Sequence, residues 1–279
     1  MFCPITARHD MSFQCPRPLS LPLPPCYQVR HSSALNKISG RLPEGREFIA
    51  SFDSTSSVME NAQQAYKDRW YGNASEQKSK ELTRHFTQRY VITPHQFKQL
   101  RQYILHTSAR DFPWLNHFFM LLDDPYYRWA TADFMPDRYQ MGLLEIPRSR
   151  FDQELKKQLP PTVGPGSLAR YGQNLLTAIR DNGLLEGRSK KIIVSPPLSV
   201  NTLAFMLYTL SDFGVGANAF DMSPLFFSLL KPREILVPLF QEGSRRGYWD
   251  FNGDPEKLRL TLNHPGLQNW LEKETYHEP

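Results

Sequence analysis

Ser167, Arg170, Gln173, Asn174 and Thr177 recur every three or four positions in the chain, so a helix there would carry them along one face. Amide side chains pair bidentately with adenine, and a guanidinium pairs with guanine or phosphate, so such a face is chemically suited to double-stranded DNA. Just beyond it the run Glu186-Gly-Arg-Ser-Lys-Lys191 adds Arg188, Lys190 and Lys191, point charges suited to holding phosphate. Arg148 and Arg150 stand at the start of the preceding predicted helix, and Arg245 and Arg246 beside a later one, where they extend the same chemistry. The patterns that usually mark catalysis are missing: no phosphate-cradling glycine loop, no Gly-x-Ser-x-Gly elbow, no His-Glu-x-x-His helix. Asp137 and Glu145 superficially match a restriction-type nuclease core, but Pro147 stands where its lysine belongs. His85, His95, His106 and His117 are too widely spaced, and too interrupted by prolines, for a one-helix metal site, so neither metal nor cofactor is expected.

The elements that must position these residues can be read from periodicity. Leu168, Tyr171, Leu175, Leu176 and Ile179 form an apolar stripe opposite the polar face. Pro165-Gly166 breaks what precedes, Ser167 is the expected cap, and Gly183 supplies the backbone freedom that ends a helix. Leu184-Leu185 then returns to the core, the cationic turn follows, and the β-branched run Ile192-Ile-Val194 closes a hairpin before Pro196-Pro197. Helix, stop and basic hairpin outline a winged helix-turn-helix, with Arg148–Leu159 as its preceding helix. The pattern recurs near 223–263, where Ser223-Pro224 and Lys231-Pro232 open helices and Tyr248–Phe251, Asn252-Gly253-Asp254 and Leu258–Leu262 read as a hairpin with a tight turn.

The expected fold class is mainly α: a helical-bundle N-terminal half with winged helix-turn-helix-like units and short β-hairpins. At 279 residues and 40% hydrophobic, the chain can bury one large core or several smaller ones. The expected organisation is a proline-rich, disordered tail over 1–46, a helical domain over 47–145, a winged-helix-like domain over 146–200 and a C-terminal helical and winged-helix-like domain over 201–279. The net charge of +5 is modest, yet Pro160–Val200 holds five cations against two acids, so the basic bias concentrates at the helix and hairpin. All three cysteines, Cys3, Cys15 and Cys26, lie in the proline-rich beginning, which argues against a disulfide framework and for a reducing compartment. No apolar run approaches a membrane span, so a cytoplasmic protein without membrane association is expected.

Phe48-Ile-Ala-Ser-Phe52, Ala65-Tyr-Lys-Asp-Arg-Trp70, Arg84-His-Phe-Thr-Gln-Arg89 and above all Ser167–Gly187, ending Asn182-Gly-Leu-Leu-Glu-Gly187, resemble the BrxA family of BREX phage-defence systems. The resemblance spans roughly residues 48–272. It implies a non-catalytic, mostly helical DNA-binding accessory that acts with other components of a phage-defence complex. Two alternatives stand beside it: an adaptor that docks on a larger ATPase or methyltransferase of the same system, motivated by the aromatic block Trp114–Tyr139, and a DNA-binding transcriptional regulator.

Overall fold

The computed structural model describes residues 39–253 and 259–275, and the chain is mainly α-helical there. Residues 1–38, most of the expected tail, lie outside the described residues. Its inner boundary moves, because α1 (Leu42–Ser51) begins within the stretch assigned to the tail and buries Phe48 and Ile49 completely. The start is set locally by Pro43 and Glu44 in the first turn, and the far end is capped at long range: the Arg101 guanidinium donates to the carbonyls of Ile49, Ala50 and Phe52, which the end of α1 leaves unpaired.

Local signals start the next helices. Ser57 and Glu60 form a reciprocal capping box on α2 (Val58–Lys67), Ser75 caps α3 (Glu76–Tyr90), and Thr93 caps α4 (Pro94–His106), with Pro94 in its first turn. α5 (Phe112–Asp123) is apolar nearly all round and buried nearly all round, as a helix at the centre of a bundle must be. Asp124 then caps α6 (Pro125–Trp129), which continues through a π-helical turn at Ala130–Phe134 into α7 (Met135–Gln140).

The chain next forms β1 (Glu145–Ile146), α8 (Arg148–Gln158), α9 (Pro165–Asp181), β2 (Leu185–Glu186) and β3 (Lys191–Ile193). The three strands make one antiparallel sheet in the order β1-β3-β2, pairing Glu145 with Ile192 and Leu185 with Ile193. A second central helix, α10 (Val200–Asp212), leads through a 3-10 turn to α11 (Pro224–Ser228) and α12 (Arg233–Arg245). The strands β4 (Trp249–Phe251) and β5 (Leu260–Leu262) follow, then α13 (Leu267–Thr275). The expected tight Asn252-Gly253 turn does not form. Phe251 pairs with Leu260 and the Asn252 amide donates to the Arg259 carbonyl, so the connection is longer than two residues, and Leu258 lies outside the described residues.

One apolar cluster runs from Phe48 to Leu271 and crosses positions 145 and 200 without a break. Tyr103 of α4 stacks on Phe205 of α10 at 4.6 Å, and Trp114 of α5 donates its indole N–H to the Pro197 carbonyl at 2.7 Å. The helix-and-hairpin segments are therefore mounted on the bundle through buried contacts. No helix among the described residues is long and apolar enough to cross a membrane.

Candidate nucleic-acid interface

α9 buries Tyr171, Leu175, Leu176 and Ile179, with Leu168 half-buried beside them, so the predicted apolar stripe is the packed face. Its start differs from expectation. Gly164 occupies the cap position and Pro165 the first turn, leaving Ser167 inside the helix with an exposed side chain. Proline's fixed φ suits the first helical position, and its missing N–H would be unpaired there anyway, so the helix nucleates ahead of the serine. The end is as expected: Gly183 adopts φ 79°, its amide donates to the Arg180 carbonyl, and the Leu184 amide reaches the Ile179 carbonyl.

The polar face of α9 is divided between exposed and committed side chains. Arg170 is exposed and makes no ion pair among the described residues. Gln173 accepts from Arg148 at 2.9 Å and faces Thr177, and Asn174 is half-buried with a partner inside the protein. Arg148, expected to hold phosphate, instead ties α8 to α9. Its Nε meets both Asp152 oxygens at 2.8 Å, and its terminal nitrogens reach Gln173 and the Ala169 carbonyl. Gly172 permits that junction, since a Cβ there would lie 2.3 Å from an Asp152 oxygen. Arg150 is outward and paired with Glu154 at 3.0 Å, an exposed bridge of small worth that a phosphate could replace.

The hairpin separates its cations in the same way. Arg188 and Lys190 are exposed and unpaired among the described residues. Lys191 corrects the sequence reading: strand alternation turns it inward to 6% exposure, where its ammonium donates to the Gly187 and Arg188 carbonyls at 2.7 and 2.6 Å. Burial, with Arg180 adding repulsion, lowers its pKa. Lys191 thus closes the turn that presents the other two, and Gly187, at φ 85° with no room for a Cβ beside the Lys190 carbonyl, completes it. Replacing Lys191 by methionine is expected to cost about 1 kcal/mol in stability, measured by chemical denaturation, because two turn carbonyls lose their donor.

The second helix-and-hairpin repeats three backbone bonds of the first. Gly247 adopts φ 75°, its amide donates to the Ser244 carbonyl, and the Tyr248 amide reaches Gly243, as Gly183 and Leu184 do with Arg180 and Ile179. The Asn263 amide bonds the Tyr248 carbonyl as the Val194 amide bonds that of Leu184. Paired ends of the strands lie eight residues apart in the first hairpin and thirteen in the second. Arg245 and Arg246 stand at this second helix end and share Glu242 at 3.0 and 2.8 Å, with Arg246 also bonded to Asn201. The Arg246 hydrogen bond holds the Glu242 carboxyl below its ordinary range.

Sequence reasoning missed the buried polar chain behind the interface. The Arg89 guanidinium and the Tyr90 hydroxyl donate to the Asn116 side-chain oxygen, and the Asn116 amide donates to Asn182, the last residue before Gly183. Asn182 donates to Tyr127, whose hydroxyl meets His117, and His117 meets Ser228. All of these residues are buried. The chain joins α3, α5, α6, the end of α9 and α11, so it fixes where α9 stops and where its hairpin begins. In the sequence His117 stands out only by its spacing from other histidines, and Asn182 only as the neighbour of the helix-ending Gly183.

No protein-family model matches the chain, and no curated protein matches it.

Proposed function

We propose that the protein is a non-catalytic, double-stranded-DNA-binding accessory of a BREX-type phage-defence system, with β1, α8, α9, β2 and β3 as a winged helix-turn-helix. The observation that carries this reading is the order β1-β3-β2 beside the α8–α9 pair, combined with three exposed cations, Arg170, Arg188 and Lys190, that form no ion pair among the described residues. In such a unit the second helix lies in the major groove while the hairpin rests on the backbone. Arg170 then faces the groove, and Arg188 and Lys190 hold phosphate. The unit formed by α11, α12, β4 and β5 is the second winged-helix-like element, bringing Arg245 and Arg246 to the DNA once they exchange Glu242 for phosphate. Membership of the BrxA family rests on the resemblance carried by Ser167–Gly187.

The test is a fluorescence-anisotropy titration against duplex DNA across a salt series. Charge reversal at Arg170, Arg188 and Lys190 together is expected to weaken binding by about 100-fold or more at physiological salt. Neutralising Lys190 alone is expected to lower the slope of log K against log salt by about one unit, while Lys191→Met leaves that slope unchanged. Wild-type affinity in the triple variant would sink the assignment.

A second reading, an adaptor that docks on a larger ATPase or methyltransferase, is favoured by one observation: the outer face of the three-stranded sheet exposes Ile192 between Glu145 and Glu186. A stable complex with such a partner, without measurable DNA affinity, would select it.

A further inference from the structure

Pro196 and Pro197 carry no backbone N–H, so the chain leaving the first hairpin cannot extend the ladder far past Val194, whose amide bonds the Leu184 carbonyl at 3.1 Å. Side chains hold this exit instead. Lys231 donates to the Pro196 carbonyl at 2.6 Å and to the Ser195 hydroxyl at 3.0 Å, while Trp114 takes the Pro197 carbonyl. The Ser195 hydroxyl in turn gives its hydrogen to the Leu229 carbonyl in a long bond of 3.4 Å. The ammonium of Lys231 also lies 5.9 Å from the centre of the Trp114 ring.

Lys231 belongs to the second unit, at the junction of α11 and α12, and a strained turn carries it to the first. Leu230 adopts φ 52°, a left-handed conformation ordinary for glycine and costly for leucine, with its side chain buried to 3% exposure. Such a backbone persists only where its surroundings hold it. Here the reversal after α11 brings both the Leu229 carbonyl and the Lys231 ammonium to one serine. Ser228, just before it, meets His117, the end of the buried chain that runs through Tyr127 to Asn182. Residues 228–231 therefore hold the first hairpin at both ends, at its entry after Asn182 and at its exit. The two ends lie side by side, since a Cβ on Gly183 would sit 3.8 Å from Cγ of Pro196.

We propose that the α11–α12 junction braces the first hairpin and that Lys231 is its positioning residue, setting the pose in which Arg188 and Lys190 meet duplex DNA. The inference rests on the DNA-binding reading above. It gives the second unit a task inside the first, apart from its own Arg245 and Arg246. Lys231 is half-buried and spends its ammonium on two oxygens within the protein, so it acts on phosphate through the hairpin it holds. Because β1 also pairs with β3, losing the brace loosens the hairpin without releasing it, and the effect is moderate.

Two measurements on the full chain test the brace: amide exchange without DNA, and fluorescence anisotropy with a duplex of mixed sequence at fixed salt. Lys231→Met keeps a side chain of similar length against Trp114 and removes both hydrogen bonds. Exchange of the Val194 amide is then expected to quicken by about tenfold, and duplex affinity to fall by about threefold to tenfold. Lys231→Arg, whose guanidinium can donate to the same two oxygens, should restore most of both. Where Arg188 and Lys190 are already glutamate, adding Lys231→Met should cost no further affinity, because the charges it positions are gone. An equal loss in both backgrounds overturns the proposal, since Lys231 would then act on DNA by itself. Unchanged Val194 exchange or undiminished affinity in Lys231→Met overturns it as well. A wild-type chain without duplex affinity would instead sink the proposed function, and Val194 exchange would still decide whether the junction braces the hairpin.

Discussion

Gly243→Ala is expected to destabilise the protein by about 3 kcal/mol, lowering the thermal midpoint by about 6–12 °C, although it adds a single methyl group. A Cβ on Gly243 would lie 1.9 Å from Cζ2 of Trp249 and 2.4 Å from Cε2. The indole cannot retreat. Trp249 is fully buried, its N–H donates to the Phe240 carbonyl at 2.8 Å, and Phe240 and Tyr248 pack against its rings. The corresponding positions of the first helix-and-hairpin show why. Ile179 stands where Gly243 stands and Leu185 where Trp249 stands, so one unit fills the space from the helix and the other from the strand. A double-mutant cycle checks the argument: Gly243→Ala combined with Trp249→Leu should cost less than the two single changes summed, because the smaller strand residue makes room for the methyl. Additive losses would show that the close approach is not what the alanine disturbs. The measurement also bears on function, since this contact sets the angle at which Arg245 and Arg246 are carried.

The prominent local features of this architecture were legible in the sequence because they are set by neighbours along the chain. Ser57, Ser75 and Thr93 start helices by accepting from the backbone amide three residues on, Pro94 does so through its fixed φ, and Gly183 and Gly247 end helices because φ near 80° is strained for other residues. What was illegible is set by residues far apart in the chain. Arg101 reaches back about fifty positions to cap the far end of α1, a bond that local composition does not show. Lys191 looked like one more wing cation, and only the pairing of β3 with both β1 and β2 decides that it faces inward while Ile192 faces out. Arg148 looked like a phosphate anchor until α9 supplied Gln173 and the Ala169 carbonyl. Of the candidate interface, the helix, the hairpin and the exposed Arg170, Arg188 and Lys190 could be read from spacing. Which cations are already spent on holding that frame together could not.

Acidification is expected to weaken the fold through His117, by about 2 kcal/mol between pH 7.5 and pH 5. His117 is fully buried, and burial drives its pKa from 6.5 down to about 3. The folded state therefore excludes a proton that the unfolded chain accepts. Stability from this group is whole above pH 6.5 and falls by about 1.4 kcal/mol per unit as the pH drops toward 3. Hydrogen-bond direction gives the same answer independently. Asn182 donates to the Tyr127 oxygen, so the one hydrogen of that hydroxyl points to Nδ1 of His117 at 2.9 Å. Burial keeps Tyr127 protonated by raising its pKa. Ser228 gives its own hydrogen to the Leu225 carbonyl and so accepts from Nε2. A second proton on His117 would set two hydrogens face to face at Nδ1, deep in the core. His117→Gln should lower stability at pH 7.5 by about 1–3 kcal/mol and flatten the pH dependence, since an amide does not titrate. Denaturant unfolding of both proteins at pH 7.5, 6 and 5 isolates the effect as a difference of slopes, which removes the contribution of carboxylates common to both. Equal slopes would mean that His117 takes up its proton in the folded state as readily as in the unfolded chain, which the bond directions to Tyr127 and Ser228 forbid. Because Asn182 sits in the same chain, the loosening should begin at the end of α9, and amide exchange at Gly183–Leu185 should quicken at pH 5 before that of α2 does, once the intrinsic pH dependence of exchange is divided out.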